Sequence, residues 1–444
     1  MHNSQSQPID ILAFTSSGKG GDLEEAIKFS LDIISSGEET VVYVYPSIPD
    51  ILSASIFISK VVASNTPLAV RLEPLIDAER VKNVNLISIG VPLSKKQYDE
   101  IARKSKKALI LGLCVKGLSK SKGNASIICS TKYSGTALYT WKILRDKLDI
   151  IDYLLLLSSL IASNMFRVPK DPIEKSMLND AINKGVIEES KGVRIFGISN
   201  KPLYKALTES LIPYLYGLTG NEGGCKEFVR KHGIDDLSTK LTDHEASTIK
   251  KVIEDVLELA NKVSPNMWKV EDLIGETYSL KNPVEGFSDD LLEFSAQISA
   301  IIERAGYGAS AYIRSFFDTI SRMYAKTYYD ALKNVSSVFE RILKEPLREL
   351  EVGGRKVKVV KTDTDKYVYM LESAVLTSGY ADESDVLIFE GDKGFMITYS
   401  TIKRVFLANS YKAIEVFSKA SDKQLAKGFI FSSLKNIISS LRRL

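Results

Sequence analysis

The residues best placed to do chemistry lie in Pro46-Ser47-Ile48-Pro49-Asp50, a turn between the run Val41 to Tyr45 and an apolar-periodic segment. A buried strand feeding a helix belongs to an α/β fold, where ligands sit at the carboxyl ends of strands. This turn offers one carboxylate, Asp50, and no histidine. A lone carboxylate becomes a base or a metal ligand only when other donors join it. Alone at a helix start, its simplest role is that of an N-cap. A second candidate is Ser17-Gly18-Lys19-Gly20-Gly21, after the strand-like run Ile9 to Thr15. A phosphate loop needs GxxxxGK followed by Ser or Thr. Here position 13 is Ala and Lys19 is followed by Gly, so the stretch reads as a turn before a helix over Leu23 to Ile34.

The remaining chemistry-bearing residues are scattered. His2, His232 and His244 cannot readily assemble a metal cluster, and Cys114, Cys129 and Cys225 lie far apart with no CxxC. Neither a zinc site nor a disulfide framework is implied, which fits a reducing setting. Two basic stretches could touch phosphate: Lys116, Lys120 and Lys122 in a loop, and Arg355, Lys356 and Lys358 in a strand. Each also reads as ordinary solvated charge.

The elements that would hold these residues follow from periodicity. With 444 residues, 44% hydrophobic and 26% charged, the chain is long enough for two or three domains with their own cores. A net charge of +4 argues against a protein that coats nucleic acid. The apolar run Tyr153 to Phe166 is too short to span a bilayer and reads as a core helix; with no secretory pattern at the N-terminus, a cytoplasmic protein is expected. Ala69 to Leu72, Asn85 to Ile89, Ala108 to Leu113 and Ile127 to Cys129 read as strands, alternating with helices around Tyr98 to Lys107 and from Ser134 to Leu144. That alternation predicts a parallel, doubly wound sheet. A mostly helical stretch follows, with helices over Gly224 to Lys231 and from Thr242 to Val263. After a helix over Asp289 to Arg304, the stripe from Ile313 through Phe316, Phe317, Tyr328 and Phe339 to Ile342 predicts about eight helical turns facing a core. Leu350 to Lys361 predicts a Gly-Gly hairpin, and Val386 to Glu390 with Gly394 to Ser400 a strand pair.

The layout resembles the DHH phosphoesterase superfamily and, within it, the archaeal RecJ-like proteins. The resemblance rests on Ala206 to Pro213, on Gly217-Leu218-Thr219-Gly220-Asn221-Glu222, on Phe228 to Asp235, and on Leu273 to Leu280 with Pro283. It implies an α/β fold in three parts: a DHH-like domain over 1–195, a helical connecting module over 196–270 and a DHHA1-like α/β domain over 271–444. The superfamily's metal-binding motifs are absent in this register. Pro46, Ile48 and Asp50 stand at the histidine and two aspartates of HxDxDG, and Ile51 replaces its glycine. Ser88 stands at the second aspartate, Gly112-Leu113-Cys114 at the DHH triplet, and Asn164 at the fourth motif's aspartate. Lys427-Gly428-Phe429 is the nearest match to the GGGH-type segment and lacks the histidine. Two manganese ions need several carboxylates and imidazoles, which these residues do not supply.

The resemblance therefore implies a pseudoenzyme with no catalytic residue, metal or cofactor. Inactivated relatives include the eukaryotic replication factor Cdc-forty-five, which joins GINS and the MCM ring in the replicative helicase. By that likeness the chain is expected to bind the GINS complex through its C-terminal domain, to bridge it to MCM, and to lie near single-stranded DNA. Two alternatives stand beside it. One is a manganese-dependent single-strand exonuclease with a rearranged site drawing on Asp50, Asp149 or Asp152; the other is an inactive regulatory partner of a repair nuclease or helicase.

Overall fold

The computed structural model describes residues 21–113, 123–130, 132–262, 264–319, 326–345, 347–363 and 365–444. The expected strand at 9–15, the glycine-rich turn at 17–20, Cys114 and the loop carrying Lys116, Lys120 and Lys122 lie outside these residues.

Helix α1 (Gly21–Ile34) precedes strand β1 (Thr40–Val44), helix α2 (Ile48–Ala63) and strands β2 (Leu68–Leu72) and β3 (Asn85–Ile89). Helix α3 (Lys95–Lys104), strands β4 (Ala108–Leu113) and β5 (Ala125–Ser130), and helices α4 (Gly135–Leu144) and α5 (Ile150–Ser163) follow. The strands form one parallel sheet in the order β2-β1-β3-β4-β5. β1, β3 and β4 are buried at every position, as near-continuous apolar runs require when both faces are covered. Period-two alternation divides β1 between two cores. Val42 and Val44 join the helical core with α2, α4 and α5. Val41, Tyr43 and, just past the strand, Tyr45 join a second core that reaches Tyr399 and Phe417 near the C-terminus. The strand order reverses between β1 and β3, so the sheet's switch point lies at their carboxyl ends.

Beyond α5 come helices α6 (Pro172–Asn183), α7 (Leu203–Glu209), α8 (Glu222–Lys231) and α9 (Ala246–Asn261). Strands β6 (Ile187–Val193) and β7 (Ile274–Leu280) pair antiparallel from Ile187↔Leu280 to Val193↔Ile274 and close the base of the α7–α9 segment. Helix α9 begins later than expected: Thr242-Asp243 belongs to a single 3-10 turn, with Asp243 accepting from Lys240 N at 2.8 Å.

Helix α10 (Leu291–Ala305) ends at Gly306, whose φ of 89° is open to glycine and costly for other residues. The expected continuous stripe from Ile313 is broken at its start by the turns at 311–316, before helix α11 (Thr327–Lys344). Ile313, Phe317, Tyr328 and Phe339 are core residues as expected, but Phe316 is 57% exposed. Strands β8 (Arg348–Val352) and β9 (Arg355–Lys361), helix α12 (Val368–Thr377), strands β10 (Val386–Gly391) and β11 (Gly394–Thr398), and helices α13 (Tyr399–Phe406) and α14 (Ser410–Ala420) follow. Strands β12 (Lys423–Leu425) and β13 (Gly428–Phe431) and helix α15 (Leu434–Leu441) come last. The six strands form a mixed sheet in the order β12-β13-β11-β10-β9-β8, with β9 and β10 parallel across the α12 crossover. Among the described residues, no helix is long and apolar enough to cross a membrane.

One buried carboxylate on α10 sets a pH dependence. Glu293 Oε1 accepts from Lys201 Nζ at 2.5 Å, and the same ammonium also bonds Glu209. Burial pushes the Glu293 pKa up to about 8, against the pull of Lys201, because one cation serves two carboxylates. A folded pKa above the unfolded value gives stability that is full below the ordinary 4.5 and is lost as pH rises through about 8. The urea midpoint of the wild type should fall between about pH 5 and pH 9, and Glu293→Gln should flatten that fall. A profile unchanged by the substitution would place the titration elsewhere.

Candidate functional site

Asp50 sits at the switch point. Helix α2 starts two residues before it: Ser47 is the N-cap residue, Pro49 is in the first turn, where a missing N–H costs nothing, and Asp50 is inside the helix. The expected N-cap role is therefore wrong: Ser47 holds the N-cap position, and the hydrogen bonds to the Asp50 carboxylate come from side chains. It is fully buried and takes bonds from three elements. Ser47 Oγ donates to Oδ2 at 2.5 Å and Thr136 Oγ1, in α4, donates to Oδ1 at 2.9 Å. Lys403 Nζ, on α13, donates to both oxygens at 2.7 and 2.5 Å. The carboxylate also lies against Gly90, just past the end of β3. A Cβ there would come within 2.3 Å of Asp50 Oδ1, and Gly90 has a φ of 74°.

Lys403 is 1% exposed. Its ammonium lies 5.5 Å from the Tyr45 ring centroid and 5.1 Å from that of Tyr133, so the cation is enclosed by one carboxylate and two aromatic faces. Burial pulls the Lys403 pKa down while Asp50 pulls it up. Tyr45 Oη donates to Tyr399 O at 2.9 Å, and Tyr133 and Ser400 share a hydroxyl bond at 3.3 Å. These contacts join the parallel-sheet half to the C-terminal half across the crevice. Among the described residues, Ser47, Tyr307, Tyr369, Glu372 and Lys427 line a cavity of ≈ 10 Å³ in the crevice. That is room for about one water, far below the ~300 Å³ of small-ligand pockets.

Nearby acids are committed in the same way. Glu372 accepts from Thr398 Oγ1 and Thr401 Oγ1, both at 2.9 Å, and pairs with Arg404 at 3.4 Å. Glu303 accepts from Tyr369 N at 3.1 Å and pairs with Lys427 at 3.6 Å, and burial raises its pKa.

The other motif positions bring no ligand. Pro46 and Ile48 are buried beside Asp50 in the chain. Ser88 is buried in β3 with no partner for its hydroxyl. Gly112 and Leu113 end β4, and a Cβ on Gly112 would lie 3.2 Å from Val91 O. Asn164 caps α5, donating Nδ2 to Leu160 O at 3.0 Å. Asp149 and Asp152 form a capping box at the start of α5; Asp152 also pairs with Lys60 at 2.6 Å and Arg314 at 2.5 Å, and Asp149 pairs with Arg314. His232 bonds Phe228 O and Asp255, and His244 bonds Thr239, so neither faces the crevice. Among the described residues no group of three or more His, Cys, Asp or Glu could hold a metal ion. The manganese pair of the DHH superfamily does not fit these residues: the two carboxylates described in the crevice are both held by cations, Asp50 by Lys403 and Glu372 by Arg404.

The basic strand divides. Lys358 is spent on Tyr380 O at 2.7 Å and Glu349 at 2.9 Å, Arg355 stacks 5.1 Å from the Phe406 centroid, and Lys356 is exposed. Cys129 is disulfide-bonded, against the expectation from spacing, while Cys225 is a buried free thiol. Sequence reasoning also missed Lys403, the decisive residue of the crevice.

No family model matches the chain, and no curated protein matches it. Among solved structures it is similar to CDC45 from Entamoeba histolytica, with a TM-score of 0.62 at 11% identity over 96% of this chain and 98% of that one. RecJ from Thermus thermophilus in complex with Mn²⁺ aligns at 9% identity over 98% of this chain and 56% of that chain, but its TM-score of 0.45 is too low to argue from. Over nearly its whole length, the chain shares the α/β fold of CDC45 from Entamoeba histolytica.

Proposed function

We propose that this chain is a non-hydrolytic DHH-fold protein that serves as a scaffold in DNA replication, binding GINS and helping to assemble the MCM helicase. The observation that carries the reading is the Lys403 ammonium held on Asp50 at the switch point, where a hydrolase of this fold would need metal ions. A positive charge fixed there repels divalent cations, and among the described residues the cavity beside it has room for about one water. The end-to-end likeness to CDC45, covering 98% of that chain, favours an assembly role over a general binding one.

Affinity capture of the tagged chain from its own cells, from nuclease-treated extract, tests the reading. GINS in stoichiometric amount, with MCM at lower yield, is the expected result; a repair nuclease or helicase without GINS would overturn it. In parallel, the purified chain should not hydrolyse single-stranded DNA with manganese. Hydrolysis that disappears in Asp50→Ala would establish an enzyme instead.

A further inference from the structure

A cavity of ≈ 270 Å³ lies where the chain leaving α5, the chain leaving β6 and the segment before β7 converge, away from the Asp50 crevice. Its polar lining is Arg167, Lys170, Arg194 and Asp272, and its apolar wall includes Phe166, Met267 and Trp268. Met165 and Phe166 adopt positive φ values of 54° and 58°, a left-handed bend that turns the chain from α5 into this lining.

The charges do not balance. Lys170 pairs with Asp272 at 3.4 Å. Among the described residues, Arg167 and Arg194 bond only backbone oxygens. Arg167 Nη2 donates to Thr377 O at 3.0 Å, and Arg194 donates to Glu276 O at 3.0 Å and Glu271 O at 3.4 Å. Arg167 also lies 5.4 Å from the Trp268 ring centroid, and burial lowers its pKa. Glu383 and Asp272 act on Arg167 only at longer range, so its partly buried guanidinium lacks a direct anionic partner, which is costly. One more donor is unused, for Trp268 is 8% exposed and its Nε1–H is buried with no acceptor. Buried indole N–H groups ordinarily find a partner.

Two guanidinium forks with no direct ion pair among the described residues, an idle indole donor and an apolar wall are the chemistry of a compact oxyanion with an apolar substituent. We propose that this cavity binds a small phosphate monoester, with its phosphate between Arg167 and Arg194 and its apolar part against Phe166 and Met267. The site stands apart from the replication reading and survives or fails without it.

Isothermal titration of the full chain with phenyl phosphate tests it, with benzoate and a 5′-phosphorylated oligonucleotide as comparators at constant ionic strength. One-to-one binding of phenyl phosphate is expected, about tenfold or more tighter than benzoate. Arg194→Met should weaken it about tenfold or more. Trp268→Phe, which keeps the ring and removes the donor, should weaken it severalfold, so the test stands even where Arg167→Met fails to fold. Absence of saturable binding, or binding unchanged in both Arg194→Met and Trp268→Phe, would overturn the site. Tighter binding of the oligonucleotide than of the small ester would overturn it in favour of a nucleic-acid contact.

Discussion

Lys403→Met is expected to destabilise the protein by about 3–5 kcal/mol, because it leaves the Asp50 carboxylate buried without its cation. The remaining donors, Ser47 and Thr136, are neutral hydroxyls that cannot replace an ammonium bonded to both oxygens. Asp50→Asn should cost a similar amount by stranding the lysine. The double variant Asp50→Leu/Lys403→Met should recover much of the loss, since an apolar pair of similar volume often matches a buried ion pair. Urea unfolding followed by circular dichroism gives the cycle, with midpoints compared rather than extrapolated because a chain of this size need not unfold in one step. A single Lys403→Met variant within about 1 kcal/mol of the wild type would show that the pair is not desolvated as described. Neither single variant should gain manganese binding, since removing the lysine frees only one carboxylate.

Gly428→Ala is the second large effect, and it acts on the sheet that carries α13. Gly428 opens β13 and faces Thr398 of β11. An added Cβ would lie 2.1 Å from Ile397 O and 2.9 Å from both Ile397 C and Thr398 Cα, all backbone atoms of the neighbouring strand. No side chain can turn aside to make room. Relief requires β11 and β13 to separate, which forfeits ladder bonds in the interior of the six-stranded sheet, at about 3 kcal/mol or more. Rapid proteolysis of the C-terminal half and a lowered Tm are expected. Gly308→Ala, where nothing lies within 4 Å of the added carbon, should be near neutral. A Gly428→Ala protein that melts with the wild type would mean that the β11–β13 register differs.

Local structure was legible where one physical signal dominated. β3 and β4 were readable to the residue because their apolar runs are buried on both faces and bounded by turn residues. The hairpin of β8 and β9 followed from Gly353-Gly354, whose φ values of 58° and 73° other residues rarely adopt. β6 was not legible: Glu188 to Lys191 are exposed, so no alternation marks a strand whose partner lies beyond three helices. The stripe failed at Phe316 because apolar spacing persists through the turn at 311–316, which leaves that ring exposed. At the site, the lone carboxylate of the turn could be read from the sequence, but the cation that holds it could not. Asp50 and Lys403 are 353 positions apart, and nothing in Tyr399–Phe406 separates a buried lysine from a solvated one. The N-cap reading of Asp50 failed for a smaller reason, that Ser47 and Pro49 start the helix two residues early.

The span of that ion pair also governs how the protein is made. At roughly 5–20 residues per second, a ribosome that has released Asp50 needs about 20–70 seconds to deliver Lys403. Through that interval the parallel sheet can assemble, but its central crevice holds an anion with no counter-charge and faces that only the C-terminal half will cover. A chain truncated anywhere before α13 lacks both the cation that holds Asp50 and the residues that complete the second core.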